Sequence, residues 1–191
     1  MITFFPVERL ELEEKFETKR LIFQRLMYED AEEIFYAYAS KPEATRYVSW
    51  PTHRSVADTQ RFLMQTRAAW SAGTDYSFSI RLKNSHRLIG SIGALNDYGK
   101  IQFGYIISPG QWNRGYATEA TLKFMELLSA QQGVYRIGTL VDVDNLASQR
   151  VLEKSGLIEE ARLTRWLRFV NQNNEPRDCI LYRYPLPARI P

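Results

Sequence analysis

KIQFGYIISPGQWNRGYATEATLKFMELL, residues Lys100 to Leu128, is the stretch whose reading decides the fold. It reads as a strand over Ile101–Ser108, a turn at Pro109–Gly110, a polar loop, and a helix opening near Gly115. Ala117, Ala120, Thr121, Phe124, Leu127 and Leu128 recur at helical spacing and predict one apolar stripe. The strand before them is β-branched and aromatic on both faces, which predicts burial on both sides. The joint between strand and helix is the unusual part. A helix N-terminus offers backbone N–H groups without intrahelical partners and carries about half a positive charge. Gly115 and Ala117 remove side-chain bulk there, while Arg114 and Thr118 add a charge and a hydroxyl. An anion such as a pyrophosphate suits that place.

An ordinary strand–helix turn, in which Gly and Asn supply backbone freedom, is the plain reading of the same joint. A P-loop needs Lys-Ser/Thr after its second glycine, and a dinucleotide fingerprint needs three glycines; neither is present. Trp112-Asn113-Arg114-Gly115-Tyr116-Ala117 does resemble the acyl-CoA signature of the GNAT superfamily of N-acyltransferases, Gln/Arg-x-x-Gly-x-Gly/Ala. The run Gly115 to Ala120, Gly-Tyr-Ala-Thr-Glu-Ala, is similar to the RimJ/RimL-type branch. The resemblance implies an α+β (mixed α/β) fold: a twisted, splayed mixed sheet flanked by helices, over residues 18–186, with residues 1–17 as an extension. It implies acetyl-CoA as cosubstrate and no metal. The pyrophosphate would lie on Asn113, Arg114, Gly115, Tyr116, Ala117 and Thr118, and the acetyl carbonyl on a backbone N–H of Tyr105, Ile106 or Ile107.

The whole chain is consistent with one soluble domain. It has 191 residues, 45% hydrophobic and 25% charged, enough for a sizeable core. A net charge of +3 without any Lys/Arg stripe argues against nucleic acid. One cysteine, Cys179, excludes a disulfide framework within the chain, and two histidines are too few for a metal cluster. No apolar run approaches ~20 residues, and the early glutamates do not suit a signal peptide, so the expectation is a cytoplasmic protein without membrane contact. Nothing in the sequence shows the oligomeric state.

The remaining elements follow from periodicity. Met1–Lys15 is a charged leader with an apolar patch at Ile2–Val7. Thr18–Leu26 predicts a first strand, and Ala31–Ser40 a helix with Ile34, Phe35 and Tyr38 inward, stopped by Lys41-Pro42. Thr45–Arg54 predicts an aromatic loop around Trp50-Pro51. Asp58–Trp70 predicts a second helix with Phe62, Leu63, Ala69 and Trp70 buried. Tyr76–Leu82, Arg87–Leu95 and Ile101–Ser108 predict strands joined by hairpin turns. Arg136–Val143 is a further strand, Asn145–Ser155 a helix, and Leu157–Val170 with Asp178–Tyr184 a closing hairpin.

Asn145-Leu146-Ala147-Ser148, followed by Arg150-Val151-Leu152-Glu153-Lys154-Ser155-Gly156-Leu157, is the second dense stretch. Helix capping explains much of it: Asn145 suits an N-cap and Gly156 a left-handed C-terminal cap. It also resembles the second GNAT signature, which lies beside the thiol of acetyl-CoA. That resemblance implies Asn145 on the pantetheine arm and Ser148 near the sulfur, as the group that protonates the leaving thiolate. Direct transfer needs no enzyme nucleophile, in keeping with Cys179 in the far hairpin. One departure matters: the family's Glu-x-Gly-Tyr, whose Glu is a candidate base, is here Gln102-Phe103-Gly104-Tyr105. Gln102 accepts no proton, so a base lies elsewhere or is a water chain.

By position in loops flanking the sheet edge in relatives, Tyr47, Trp50, His53 and Tyr98 are candidates for the acceptor side, and Gln102 joins them from the strand before the cofactor loop. Trp50-Pro51 also reads as a packing anchor, and His53 as an exposed loop residue. The leading function is N-acetyl transfer to an amine, plausibly a protein or peptide α-amine. The alternatives are a polyamine, aminoglycoside or amino acid acceptor, and a catalytically weak acyl-CoA-binding module.

Overall fold

The computed structural model describes residues 9–186; the apolar patch at Ile2–Val7 lies outside them. One sheet of eight strands organises these residues: β1 (Lys15–Glu17), β2 (Leu21–Arg25), β3 (Asp75–Leu82), β4 (Leu88–Asp97), β5 (Lys100–Ile107), β6 (Arg136–Asp142), β7 (Ile158–Arg168) and β8 (Pro176–Arg183). Their order across the sheet is β1-β2-β3-β4-β5-β6-β8-β7. Every neighbouring pair is antiparallel except β5 and β6, which run parallel. That parallel pairing is short, joining only Lys100–Gln102 to Arg136–Gly138. Beyond Gln102 and Gly138 the two strands part and leave a gap in the middle of the sheet.

The strands alternate as half-covered strands must, and the alternation separates two cores. On one face lie Leu21, Phe23, Tyr76, Phe78, Ile80, Ile101, Phe103 and Ile107, packed against Ala120, Phe124 and Leu128 of α4 (Tyr116–Ser129). Phe78 and Phe124, both fully buried, meet edge to face at 6.0 Å between ring centres. This is the stripe expected from the sequence, except that Met125 is fully buried and Leu127 only half-buried. On the other face, Leu88 and Ile106 pack against Ile34, Tyr38 and Ala39 and against Leu63 of α3 (Val56–Ala72).

The segment Ala31–Ala39 departs from a plain helix. It opens as α1 (Ala31–Ile34) and widens into a π-helical turn over Phe35–Ala39, closed by the Ser40 N–H on the Phe35 carbonyl at 3.1 Å. The helix stops before Lys41-Pro42 as the sequence predicts, with Lys41 extended, and Pro42 then starts the one-turn α2 (Pro42–Thr45), because proline is tolerated in a first turn. The expected aromatic loop therefore begins inside a helix. Helix α3 is closed at both ends: Ser55 and Asp58 form a capping box, and Gly73 adopts the left-handed conformation at φ +78°. The fifth helix, α5 (Leu146–Lys154), follows β6 and is N-capped by Asn145, whose Oδ1 accepts from the Ser148 N–H at 3.2 Å. Among the described residues no helix is long and apolar enough to cross a membrane, and no group of three or more His, Cys, Asp or Glu is placed to hold a metal ion.

Candidate active site

The backbone of β5 decides what the gap offers. In an antiparallel pair, alternate residues exchange both backbone bonds with the neighbour, while the residues between point both groups away. The Ser108 N–H donates to the Ile89 carbonyl of β4 at 2.7 Å, and the register continues through Ile106–Ser91 and Gly104–Gly93. The even-numbered residues are thus committed to β4. Phe103, Tyr105 and Ile107 turn their backbone groups toward the gap. The Trp112 indole N–H confirms this direction, donating to the Ile107 carbonyl at 2.8 Å from the open side. The N–H groups of Tyr105 and Ile107 are therefore donors aimed into the gap. Ile106 is turned the other way, with its backbone on β4 and its side chain buried in the core beside α1.

Beyond the end of β5, past the open side, α4 begins. Gly115 precedes it with φ +77°, a conformation that side chains resist, and no side chain caps the helix. Asn113 is also left-handed, at φ +60°. A Cβ built on Gly115 would meet only Arg20 Nη2, at 3.4 Å. The exposed N-terminus is thus an open cradle of N–H groups, and a pyrophosphate fits it.

Arg20, which sequence reading did not single out, holds this cradle in shape. Its Nε donates to Glu119 Oε2 at 2.6 Å and its Nη1 to the Arg114 carbonyl at 2.9 Å, and its guanidinium lies 4.6 Å from the Tyr116 ring centre. Glu119 also accepts from the Thr18 hydroxyl at 2.6 Å and the Arg20 N–H at 2.9 Å. Burial raises the Glu119 pKa, but these hydrogen bonds and the Arg20 charge outweigh it, and the carboxyl ends below its usual value. A separation of 99 residues between Arg20 and Glu119 kept this pairing out of any local pattern.

Across the gap, α5 faces β5. The Tyr105 hydroxyl and Ser148 Oγ are 3.1 Å apart, either able to donate. Burial pushes the Tyr105 phenol up to about 12, against a lowering from the Ser148 contact, so it stays protonated. Ser148 and Asn145 stand together at the head of α5, with Tyr105 beside Ser148. Asn145 acts as the N-cap, and its amide oxygen is engaged by the Ser148 N–H.

The acceptor candidates divide. Tyr47 reaches over the end of β6, its hydroxyl 3.4 Å from the Asp144 carbonyl beside Asn145. Trp50 is a packing anchor, 4.9 Å from the His53 ring and 6.3 Å from Phe62. His53 is not simply exposed: it is half-buried, and its Nδ1 meets the buried Thr59 hydroxyl at 2.8 Å. Burial lowers its pKa, against a raising contribution from Asp58. Gln102 lies on the α1 side of the sheet, where the gap closes. Tyr98 is a correction. It sits exposed at the tip of the β4–β5 turn, with φ +50°, and β5 then runs away from it toward the cradle. At about 3.4 Å per residue, Tyr105 is ~24 Å further along, too far for Tyr98 to share the site.

Asn171, also unforeseen, ties the acceptor-side walls together. From the β7–β8 turn, its Nδ2 donates to the carbonyls of Thr45 at 2.6 Å and Trp50 at 2.9 Å. Its Oδ1 accepts from the Thr52 N–H at 2.9 Å and the Thr52 hydroxyl at 3.2 Å. The aromatic loop and the closing hairpin are thereby one structure.

Residues 20–158 match the acetyltransferase (GNAT) domain family. An uncharacterized N-acetyltransferase of Bacillus subtilis, YoaA, is 30% identical over 174 residues, covering 90% of this chain and 96% of its own. Among solved structures, a ribosomal-protein-S5-alanine acetyltransferase from Vibrio fischeri superposes with TM-score 0.79 at 18% identity, over 93% of this chain and 99% of that one. RimL, a ribosomal L7/L12 α-N-protein acetyltransferase in complex with coenzyme A, gives TM-score 0.79 at 14% identity, over 88% and 96%. The last two likenesses are likenesses of fold.

Proposed function

The chain belongs to the GNAT acetyltransferase family, and on that premise we propose that it moves the acetyl group of acetyl-CoA directly to an amine, preferring the N-terminal α-amine of a peptide or protein. The α4 cradle is the place for the pyrophosphate, and the Tyr105 and Ile107 N–H groups in the gap are the donors toward which the acetyl carbonyl would point. There they stabilise the negative charge that develops on the carbonyl oxygen as the amine attacks. Holding both reactants in one gap supplies several kcal/mol or more through orientation. The Tyr105–Ser148 hydroxyl pair supplies a proton to the departing thiolate.

One observation carries the acceptor preference: on the acceptor side, next to the gap, β5 presents the amide of Gln102 rather than a carboxylate. An α-amine has a pKa of about 7.7–8 and a lysine side chain about 10.4. At pH 7.5 roughly a third of α-amines are already neutral, against about one lysine in a thousand. Without a base at the gap, lysine forgoes about 3–4 kcal/mol in available nucleophile, at 1.36 kcal/mol per pKa unit. The RimL fold neighbour, described as an α-N-protein acetyltransferase, agrees with this preference.

The test offers two peptides of one sequence, one with a free N-terminus and a blocked lysine, the other blocked at the N-terminus with a free lysine. The first should be acetylated at least tenfold faster at pH 7.5. Equal rates, or a faster lysine peptide, would contradict the assignment.

A further inference from the structure

The face of the sheet that carries Gln102 also carries a carboxylate two strands away. Residues directly paired across antiparallel strands share a face. Asp75 of β3 pairs with Leu95 of β4, and Leu95 with Gln102 of β5. In the next row Ser77 pairs with Gly93, and Gly93 with Gly104. Both rows lie on the acceptor side, since Ile106 continues the same face into the core beside α1.

The second row contains two glycines where side chains would stand, and they are not equivalent. At Gly93 the space is taken: Ser77 Oγ lies 2.4 Å from where a Cβ would be. The serine therefore leans across β4 toward β5. At Gly104 the space is open, with nothing within 4 Å of a Cβ, and the residue is exposed. Gly104 immediately precedes Tyr105, whose N–H faces the gap. The Ser77 hydroxyl donates to Asp75 Oδ1 at 2.6 Å. Strands are about 4.8 Å apart, so Ser77 Oγ, beside β4, is at least one strand spacing from the space above Gly104, and a short chain of waters over Gly93 and Gly104 is needed to reach an amine at the gap.

We propose that Asp75 and Ser77 form a proton relay that drains the attacking amine through a short chain of waters over Gly104 and Gly93. The step conserves protons. As the amine nitrogen bonds to the acetyl carbon, its surplus proton passes to the nearest water, each water hands one proton to the next, the last gives a proton to Ser77 Oγ, and the Ser77 hydroxyl proton passes to Asp75. The C–S bond then breaks, the thiolate takes its proton from the Tyr105–Ser148 pair, and Asp75 releases its own to solvent while that pair is refilled. Burial raises the Asp75 pKa, against a lowering from the Ser77 bond, which makes it a stronger proton acceptor than an exposed aspartate. The relay takes its proton only as the C–N bond forms, so the amine must still arrive neutral, and the preference for amines of low pKa stands.

The relay rests on direct acetyl transfer to an amine, and its test keeps the two claims apart. Acetylation is followed with acetyl-CoA and two acceptors, a short peptide with a free N-terminal serine and glycinamide at high concentration. Asp75→Asn keeps an oxygen for the Ser77 hydroxyl and should lower kcat about 10²-fold, leaving KM for acetyl-CoA unchanged. Ser77→Ala should cause the same loss, and the double variant no more than either one, because both interrupt one path. Adding Gln102→Glu to Asp75→Asn places a carboxylate on β5 in the same row and should restore most of the rate, which a structural role for Asp75 would not allow. Full kcat in Asp75→Asn overturns the relay, and so does a loss that Gln102→Glu leaves untouched. A wild-type protein that acetylates neither acceptor overturns the relay and the proposed transfer together; a wild-type rate that Asp75→Asn retains overturns the relay alone.

Discussion

The two sides of the gap are built on different principles. The side proposed for the cofactor is local: a strand, a loop and a helix contiguous in sequence, offering backbone amides. The side proposed for the acceptor is assembled from afar. Asn171 meets Thr45 and Trp50 across more than a hundred residues, and Asp75 and Ser77 share a face with Gln102 and Gly104 only through the register of three strands. Backbone recognition at a helix N-terminus tolerates most side chains and demands small ones at few positions, so it leaves a short motif. Recognition by side chains from scattered elements leaves none.

The contrast makes the cofactor side the more fragile to one change. Gly115 is left-handed, so replacing it mixes backbone strain with any effect on the ligand. Asn and Asp both tolerate that conformation better than other residues, and they differ in charge. Gly115→Asp should weaken acetyl-CoA binding by about 4 kcal/mol relative to Gly115→Asn, close to a thousandfold, through lost charge-assisted bonds and added repulsion. Calorimetric titration of both variants checks it; equal affinities would remove the pyrophosphate from the cradle.

Next in size is the hydroxyl pair on which the two sides converge. Ser148→Ala should lower kcat about 10²-fold, the low end for proton transfer from so weak an acid, with acetyl-CoA affinity nearly unchanged. Adding Tyr105→Phe should cost much less than its single effect, because the two hydroxyls share one bond. Affinity lost with kcat kept would make Ser148 a binding residue instead.

Asn171→Ala sharpens the comparison from the acceptor side. It strands the Thr52 N–H and two carbonyls, which should cost about 1–3 kcal/mol of stability, read from denaturant midpoints. KM for the acceptor should rise several-fold while KM for acetyl-CoA holds. Equal changes in both would mean that the clasp supports the whole fold rather than one wall.

The smallest effect separates the sides by acid. His53 is depressed below the usual 6.5 by burial, so its contribution to the aromatic loop is present above that value and is lost as pH falls through its folded pKa. Glu119 is depressed below 4.5, so its contribution to the cradle is present above 4.5 and lost only as pH falls further. Lowering pH from 7 to 5 should therefore weaken acceptor binding before acetyl-CoA binding. Direct titrations at each pH decide this, and His53→Gln should flatten the difference.

The sequence made the order of strands and helices readable wherever periodicity and caps agreed, as in α4 and in Asn145 at the head of α5. It also pointed to the cradle, Ser148 and Tyr105, since each sits in or beside a contiguous motif. The π-helical turn over Phe35–Ala39 and the proline-started α2 were not legible, because such short or widened turns keep helical spacing only approximately. Tyr98 was misplaced because position in a loop says nothing about which end of a strand the loop occupies. Arg20, Asn171 and the Asp75–Ser77 pair were invisible for a common reason: their partners are set by register and packing, and the residues themselves are ordinary on their own strands and turns.

The most direct test of the two-sided site is a crystal structure with acetyl-CoA bound. The account predicts pyrophosphate oxygens within about 3 Å of N–H groups in residues 114–118, and the acetyl carbonyl on the Tyr105 or Ile107 N–H. The thioester should enter from the α4–α5 side, leaving the space above Gly104 free for the waters that lead from the amine. A pyrophosphate held elsewhere, or an acetyl group lying over Gly104 on the face of Gln102, would contradict it.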